Sequence, residues 1–477
     1  MVFNKVDEAG AEMKIKIKNL GVIKQAEFSL GDLTIICGEN NSGKTYAMHA
    51  TYGFFDYLRA NPGFPVEQQN LDRLYNEGSI TLSLKPYAKN LPEYLNKAAE
   101  RYSEVLFKVF AGSETQFENA SLSIFPESIG EIVFSDVNIV IGSPEKGFLK
   151  VVSSENKEAL NISLLVEKSD EEAPPLHVTR DVISDGIGRA VLGEVIPRLF
   201  LSSAERTGAA IFQKELDFTR NRIVDLLGEK TEKLHPLQLL GKFIGEYPLA
   251  VKRNVDFIRD LPAVVKRESF ISKKYPELLE SFAGIIGGEY KVSRSGEVQY
   301  VPSCNKRTKL ALVESSSSVR SLLDIGFYLR HMALPGDLLM IDEPELNLHP
   351  ENQRKIARLF AQLVNIGIKI FVTTHSDYII KELNTLIVLN QDSVRLRRLA
   401  EREGYHSYEL LDHSRVRVYI AEKASIKPDG KSRKGDYNTL VLADIDPSMG
   451  IEIHTFDKSI EEMNRIQDEI YWGNDDE

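Results

Sequence analysis

Residues 33–45 read LTIICGENNSGKT, and this stretch carries the strongest structural signal in the chain. The apolar run Leu33–Cys37 predicts a short buried strand. Gly38–Thr45 fits the pattern G-x-x-x-x-G-K-[ST] at every position, and Tyr46–Ala50 continues as a helix. A strand, a glycine-rich loop and a helix in this order bind phosphate, because the loop N–H groups and the helix N-terminus converge on one anion. A chance match in a Gly/Asn turn is the alternative, and it would not explain the flanking strand and helix.

The loop pattern predicts a role for each of its residues. Lys44 is expected to reach the β- and γ-phosphates of ATP, and the Thr45 hydroxyl is expected to bind Mg²⁺. The other positions expected to surround the phosphates are Gly38, Glu39, Asn40, Asn41, Ser42 and Gly43.

The composition is that of a globular protein with two or three domains: 477 residues, 42% hydrophobic and 27% charged. No long apolar run or signal-peptide pattern is present, so we expect a cytoplasmic protein without a membrane span. Two distant cysteines suggest neither a disulfide framework nor a zinc site. The net charge of −11 gives no overall basic field for nucleic acid.

Local basic clusters leave two interpretations open, a solvated face or a contact with nucleic acid or an acidic partner. The clustered residues are Arg395, Arg397, Arg398 and Arg402, and Lys427, Lys431, Arg433 and Lys434.

The order of patterns along the chain predicts an α/β fold with an inserted helical segment. Met13–Lys18 and Gln25–Leu30 alternate as a hairpin before the loop, and short β-like runs dominate residues 117–166. A charged, proline-broken, helix-prone segment then separates two β-rich parts. We therefore expect residues 1–207 and 288–390 to form the two halves of one main domain, with an inserted helical arm or subdomain at 208–287. Residues 391–477 are expected to be a C-terminal extension of that domain and are a candidate region for partner binding.

A second acidic motif completes the expected nucleotide site. Leu338–Pro344 is an apolar strand that ends in Asp342 and Glu343. Phosphoryl transfer to water needs a carboxylate near the metal and a base on the attacking water, so Asp342 is predicted to bind Mg²⁺ and Glu343 to be the base. A solvated Asp-Glu turn is the alternative.

Two further polar motifs each follow an apolar strand. Residues 373–376, TTHS, end a predicted strand, where His375 would contact the γ-phosphate; a structural histidine is the alternative. Residues 314–323, ESSSSVRSLL, place four serines at a helix start. Their hydroxyl and N–H groups could bind an anion, although simple N-capping would need only one of them.

With these motifs in hand, the chain resembles ABC-type ATPases of the SMC and RecF kind, over residues 13–390. It is similar in particular to the AAA-labelled branch that includes OLD proteins and the ATPase subunits of anti-phage systems. The matching motifs are GENNSGKT, SSSSVRSLL as a divergent signature, LLMIDEPELNLHP as Walker B with D-loop, TTHSD, and LSSAERTG at residues 201–208.

The resemblance implies a P-loop NTPase of the ABC-head type, with an antiparallel β lobe, whose heads dimerise around two ATP molecules. Serines Ser316, Ser317 and Ser318 of one head would meet the γ-phosphate held by Lys44 of the other. Asn347 and His349 would line the dimer seam. The signature lacks the usual Gly-Gly, and Gln68 and Gln69 are candidates for the Q-loop glutamine by order alone.

The C-terminal residues separate the possible functions. Glu422, Asp444 and Asp446 resemble the acidic residues of a TOPRIM nuclease, but their spacing is short for that fold. The chain therefore resembles ATPases that control a separate effector nuclease, either HNH (Septu and retron-linked PtuA) or TOPRIM (PARIS-type AriA). A RecF-like ATPase acting directly on DNA is the main alternative. A transporter ATPase is disfavoured by the SSSSV signature and the long insertion.

Overall fold

A computed structural model describes residues 12–128, 132–142, 147–165, 175–212, 247–293, 296–451 and 454–472. The strands are β1 (Glu12–Leu20), β2 (Ile23–Ser29), β3 (Leu33–Cys37), β4 (Ser79–Ser83), β5 (Ser121–Ser128), β6 (Asn138–Gly142), β7 (Gly147–Ser153), β8 (Ala159–Leu164), β9 (Leu199–Ser202), β10 (Gly288–Val292), β11 (Val298–Pro302), β12 (Leu310–Ala311), β13 (Leu338–Asp342), β14 (Lys369–Thr374), β15 (Val416–Ile426), β16 (Gly435–Leu442), β17 (Ile445–Asp446) and β18 (Gly450–Ile451).

The helices are α1 (Lys44–Ala60), α2 (Gln68–Glu77), α3 (Lys85–Lys89), α4 (Leu91–Glu104), α5 (Leu106–Val109), α6 (Glu114–Phe117), α7 (Leu176–Leu192), α8 (Leu249–Val264), α9 (Phe270–Lys274), α10 (Pro276–Ile286), α11 (Ser317–Ser321), α12 (Leu323–His331), α13 (Pro350–Asn365), α14 (Asp377–Leu389), α15 (Val394–Arg402) and α16 (His454–Trp472). Residues 206–212 are also helical.

A six-stranded sheet in the order β16-β15-β3-β14-β13-β9 organises the head. Its strands are parallel except β16, which pairs antiparallel with β15. Cys37 lies beside Thr374, and Asp342 lies beside Thr373. The carboxyl ends of β3, β13 and β14 therefore meet at one edge, where ligands bind in open α/β sheets. The predicted α/β P-loop class is confirmed.

Alternating residues of the central strands face two separate hydrophobic cores. Ile36, Met340 and Phe371 pack into one core, with α1 and the β lobe. Ile35 and Ile341 pack into the other core, with α12, α13 and α14. Because both faces are covered, the central strands read as continuous apolar runs rather than alternating ones.

The predicted antiparallel β lobe is formed by two smaller sheets, in the orders β2-β1-β5 and β4-β8-β7-β6. In β1, Ile15 and Ile17 are buried while Lys14, Lys16 and Lys18 are partly exposed, as the alternation predicts. The hairpin of β1 and β2 lies directly against the phosphate loop, because a Cβ on Gly43 would come within 2.5 Å of Ile23.

The predicted helical arm, residues 208–287, is described only in part, since 213–246 lie outside the described residues. Helices α8 to α10 pack into the second core through Ile258, Leu261, Ile271 and Phe282. The described part of the insertion is therefore helical and packs against the rest of the head. The domain boundaries given above remain a prediction.

The segment assigned to a C-terminal extension of the head contributes a strand to its central sheet, because β15 pairs with β3 from Val416 to Ile420. Strand β16 then forms the outer edge of the central sheet. None of the helices in the described ranges is both long and apolar enough to cross a membrane.

Candidate functional site

The glycine-rich loop connects β3 to α1 and is shaped by residues with positive φ. Gly38 has φ 142° and Gly43 has φ 101°, and Asn41 between them has φ 61°. A Cβ on Gly38 would approach the Ala421 carbonyl oxygen to 2.5 Å, so no larger residue fits there. No side chain caps α1, which begins after Gly43. Its first-turn N–H groups are therefore free of a capping acceptor and suit an anion.

The Lys44 ammonium group lies at the centre of this loop. It is 5% exposed, and its Nζ donates to the carbonyl oxygens of Gly38 at 2.9 Å and Glu39 at 2.6 Å. Burial lowers the pKa of Lys44, while the carboxylates of Glu343 and Asp342 oppose that change. The side chain thus holds a cation against the loop, beside the acidic strand ends.

Asp342 joins the loop to the end of β13. Its Oδ1 accepts a hydrogen bond from Thr45 Oγ1 at 3.2 Å and another from the Thr373 hydroxyl. Asp342 is fully buried, and its Oδ2 accepts no hydrogen bond, although His49 Nε2 lies 3.5 Å away. The two residues predicted to bind Mg²⁺ are therefore adjacent in space.

These residues fit a magnesium ion on chemical grounds. A buried carboxylate oxygen without a donor needs a positive partner, and Mg²⁺ prefers oxygen ligands such as carboxylate and hydroxyl groups. Thr45 and Asp342 supply both. His49, which the sequence analysis did not single out, would face the carboxylate from α1. Among the described residues, no group of three or more His, Cys, Asp or Glu side chains could hold a metal ion.

Glu343 occupies a strained position just beyond β13. Its φ is 50°, in the left-handed region that a residue with a Cβ rarely adopts. Its N–H donates to the Thr373 carbonyl at 3.0 Å, and its carboxylate is about a quarter exposed. Burial, with Asp342 next to it, raises the pKa of Glu343. A raised pKa makes the carboxylate a better proton acceptor, as a base on water requires.

Glu345 orients the histidine of the T-T-H-S motif. Its Oε1 accepts from the Thr374 hydroxyl at 2.8 Å and from the His375 backbone N–H at 2.7 Å. The same oxygen lies 3.2 Å from His375 Nδ1, whereas Glu343 Oε1 lies 3.9 Å from that nitrogen. The two predicted catalytic residues are therefore neighbours. Glu345 was missed, although it lies within the quoted DEPELNLHP motif.

Arg206 is the second residue whose role was missed. It is 2% exposed and donates to the carbonyl oxygens of Asp342 at 2.7 Å and Glu343 at 2.8 Å. The LSSAERTG stretch had marked the segment without indicating a function. The structure shows that this arginine contacts the backbone of both acidic residues.

The serine cluster lies at the start of α11. Ser316 caps this helix by accepting from the Val319 N–H, and its hydroxyl lies 2.8 Å from that of Ser318. Ser316 and Ser317 are exposed, whereas Ser315 is buried and donates to the Leu312 carbonyl. One serine therefore caps the helix, and the neighbouring hydroxyls remain at the surface.

Within the described ranges, no hydrogen bond joins the Q-loop candidates Gln68 and Gln69 to the site. Gln68 begins α2, where its side chain bonds Asp72 and Arg180. Both Gln68 and Gln69 are exposed. The D-loop residues Asn347 and His349 are exposed beside α13, which His349 caps.

Comparison with known proteins places the chain in a family. The model of the AAA ATPase domain family (AAA_15) matches residues 13–171 and 220–380, which together exceed half of the chain. No curated protein matches the sequence.

Among solved structures, three SMC head domains are similar to the chain. One, bound to the C-winged-helix domain of ScpA, is 13% identical over 90% of this chain and 98% of its own, with a TM-score of 0.33. The head from Thermotoga maritima is 11% identical over 91% and 100%, with a TM-score of 0.29. The Smc head with an extended coiled coil, bound to the C-terminal domain of ScpA derived from Pyrococcus furiosus, is 12% identical over 96% and 99%, with a TM-score of 0.31.

The family match covers the phosphate loop, the acidic strand end and the T-T-H-S motif, which are the same segments that meet at the sheet edge. The chain belongs to the AAA ATPase domain family.

Proposed function

We propose that this chain binds and hydrolyses ATP at the edge formed by β3, β13 and β14. The observation that carries the proposal is the contact between Thr45 and Asp342, which joins a complete phosphate loop to a buried carboxylate with an unpartnered oxygen. Bound Mg²⁺ would neutralise phosphate charge there. Thr45 and Asp342 would hold it.

Each remaining residue then has a defined task. The loop N–H groups and Lys44 bind the β- and γ-phosphates, which fixes the leaving group. Glu343 accepts a proton from the attacking water, and its raised pKa suits that role. His375, oriented by Glu345, donates a hydrogen bond to the γ-phosphate.

A variant at Lys44 tests this proposal. Lys44→Ala removes the only cation that contacts the loop carbonyls among the described residues, so we expect hydrolysis to be lost. Release of phosphate and binding of a fluorescent ATP analogue should both be measured. Lys97→Ala is the matched control, because Lys97 is an exposed lysine on α4 that pairs with Glu93. Wild-type hydrolysis by Lys44→Ala would exclude this site.

We further propose that two heads enclose ATP, with Ser316 and Ser317 of one head covering the γ-phosphate bound to the other. Their exposure supports this role, because a phosphate already surrounded by its own loop presents only its outer face to a second molecule. Affinity between heads would then depend on the γ-phosphate. ATP would set the balance between two states.

Mixing two inactive variants tests the dimer. Ser316→Arg/Ser317→Arg protein should bind ATP without hydrolysing it, and Lys44→Ala protein should be inactive. A mixed dimer contains one intact site, made from the loop of the first variant and the serines of the second. Hydrolysis that appears only on mixing supports contact in trans. Normal hydrolysis by the serine variant alone would exclude the assignment of the serine cluster.

Finally, we propose that the ATP-dependent dimer controls a separate effector nuclease in anti-phage defence. The resemblance of GENNSGKT, LSSAERTG and DEPELNLHP to such ATPase subunits supports this function. Asp446, which resembles a nuclease metal ligand, instead caps a turn by accepting from the N–H groups of Ser448 at 2.7 Å and Met449 at 2.9 Å.

Phage challenge tests the biological role. Cells that carry the gene with its chromosomal neighbours should resist phage, and Lys44→Ala should abolish that resistance. The purified chain alone should not cut DNA or RNA with Mg²⁺ or Mn²⁺. Equal plating of phage on cells with wild-type and Lys44→Ala protein would contradict a defence function that depends on ATP.

A further inference from the structure

We propose that Arg206 is a positioning residue that holds Glu343 in its catalytic conformation and connects it to the serine-bearing helix α11. The inference rests on the proposed function, because the base role of Glu343 and the trans contact of the serines belong to it. It adds a physical link between the two nucleotide sites of a dimer.

The first observation is how the guanidinium group is satisfied. Arg206 Nη1 donates to the carbonyl oxygens of Ser203 at 2.8 Å and Asp342 at 2.7 Å. Its Nη2 donates to the Glu343 carbonyl at 2.8 Å, and its Nε to the Ser321 carbonyl at 2.6 Å. Four main-chain oxygens from the segments after β9, at the end of β13 and at the end of α11 thus meet on one planar group.

The second observation concerns the backbone of Glu343. The carbonyls of Asp342 and Glu343 belong to the two peptide planes that flank the Glu343 Cα. Their relative orientation is the φ and ψ of Glu343, whose φ of 50° is unfavourable for a residue with a Cβ. By bonding both carbonyls, Arg206 restrains these two angles and hence the direction in which the Glu343 side chain leaves the backbone.

The third observation is that the Arg206 charge is buried, which is unfavourable because the guanidinium group loses its hydration. Burial lowers the pKa of Arg206, and the charge of the buried Asp324 is the largest contribution that opposes this change. An apolar residue of similar size would avoid the loss of hydration. A planar group with five donors, however, holds several segments at fixed distances, and an apolar side chain would not.

The connection to α11 extends the effect to the second site. Ser321 ends the five-residue helix whose first residues carry the serine cluster, and its Oγ also donates to the Leu346 carbonyl at 3.1 Å. We expect a helix of five residues to move as one body. Movement of Ser316 and Ser317 toward a phosphate on the partner head would therefore shift the Ser321 carbonyl, and Arg206 would transmit that shift to Glu343.

Arg206→Lys tests the positioning role. Lysine keeps the charge but lacks the planar fork, so we expect kcat to fall by about 10-fold to 100-fold. The affinity for a fluorescent ATP analogue should not change, because Arg206 does not contact the loop. Wild-type kcat, or a parallel loss of ATP affinity and thermal stability that accounts for the lower activity, would overturn the proposal.

Arg198→Lys is the matched control. Arg198 lies just before β9, at the opposite end of the strand that Arg206 follows, and donates to Asp337 and to the Met332 carbonyl. This variant should lower the melting temperature without lowering kcat. An equal fall of kcat in both variants would show that Arg206 acts only through stability.

A second measurement needs no variant at Arg206. Wild-type heads are mixed with excess Lys44→Ala heads, at rising protein concentration until the rate reaches a plateau. In each mixed dimer, the wild-type head binds ATP, and the serines of the Lys44→Ala head contact that ATP. Helix α11 of the wild-type head, in contrast, faces the loop of the Lys44→Ala head, which holds no ATP. We expect the loaded site of the wild-type head to turn over about 5-fold to 150-fold more slowly than a site in the wild-type dimer. Equal rates per loaded site would overturn the link between the sites.

The same mixture made with Arg206→Lys in both chains should show equal rates per loaded site. A purely structural role would leave the difference seen in wild type. Glu343→Gln separates this inference from the proposed function. If that variant hydrolyses ATP normally, the base assignment fails. If it is inactive while Arg206→Lys keeps wild-type kcat, only the present inference fails.

Discussion

The two ends of the central sheet use the same kinds of side chain in opposite ways. At the amino end, Asp337 is 2% exposed and accepts from Arg198, from the Tyr328 hydroxyl and from the Leu334 N–H. At the carboxyl end, the buried acids Asp342 and Glu345 each retain an oxygen without a hydrogen bond.

Arg198 at the amino end and Arg206 at the carboxyl end also differ in the groups to which they donate hydrogen bonds. Arg198 contacts a carboxylate, which stabilises the folded chain and leaves no group in need of a partner. Arg206 instead donates to the main-chain carbonyls of Asp342 and Glu343 rather than to their carboxylates. At the amino end the protein itself supplies the partners of Asp337, whereas at the carboxyl end two buried carboxylate oxygens remain available to the proposed ligand.

Glu343→Gln should have the largest effect at the carboxyl end. Glutamine keeps the size of the side chain but cannot accept the proton, and a general base supplies about 10²-fold to 10⁴-fold in rate. We expect kcat to fall by that factor in steady-state phosphate release, while ATP still binds and the dimer accumulates in size-exclusion chromatography. Hydrolysis within a few-fold of wild type would assign the base elsewhere.

Asp337→Asn should have the next largest effect, on stability alone. Loss of one charge from a buried pair costs about 3–5 kcal/mol, and the partial exposure of Arg198 reduces this to about 2–4 kcal/mol. The free energy of unfolding in urea should fall by this amount. Because the Arg198–Asp337 pair lies at the amino end of the sheet, kcat of the folded fraction should stay at the wild-type value. A large fall in kcat would contradict the view that the amino end contributes to stability and not to hydrolysis.

Glu345→Gln should have a smaller effect that is specific to the site. The variant keeps an oxygen for the Thr374 hydroxyl and the His375 N–H but loses the charge that faces His375 Nδ1. We expect kcat to fall about 10-fold through misplacement of the imidazole, with little change in ATP affinity. If Glu345→Gln and His375→Ala show additive losses of activity when combined, Glu345 does not act through His375.

Asp429→Asn should have the smallest effect. Hydrogen bonds from Lys16 and Lys18 to this exposed carboxylate hold its pKa well below the ordinary range. Because the folded-state pKa is lowered, the contribution is present at neutral pH and is lost as the pH falls below about 4. We expect a fall in melting temperature of about 1–3 °C at pH 7. The difference between variant and wild type should shrink in acid, and a difference that grows in acid would contradict this pairing.

Local patterns predicted the parts of the fold that local sequence determines. The runs at Leu33–Cys37 and Leu338–Asp342 are buried strands because both of their faces are covered, which a continuous apolar run indicates. The pairing of Val416–Ile420 with β3 could not be predicted, because it joins residues nearly four hundred positions apart without a local signal. The inserted segment was predicted to be a short helical arm or subdomain; its described helices, α8 to α10, pack into the second core, which no local pattern indicated.

The site was predictable where a motif fixes both residue type and backbone. Lys44, Thr45 and Asp342 follow from their motifs, and the structure brings them together. Arg206 and Glu345 could not be assigned in the same way. Their roles depend on carbonyl oxygens and N–H groups, which every residue carries and which only the folded chain arranges.

The ribosome makes strand β3 long before the two strands that pair with it. Strand β3 lies between β14 and β15, so both of its edges remain open until residues 369–374 and 416–420 have left the ribosome. The phosphate loop follows β3 directly, and Gly38 packs against the Ala421 carbonyl. A nascent chain that stops before residue 416 therefore leaves one edge of β3 unpaired and the phosphate loop without its contact at Ala421, and an unpaired strand edge of this kind favours association with other chains.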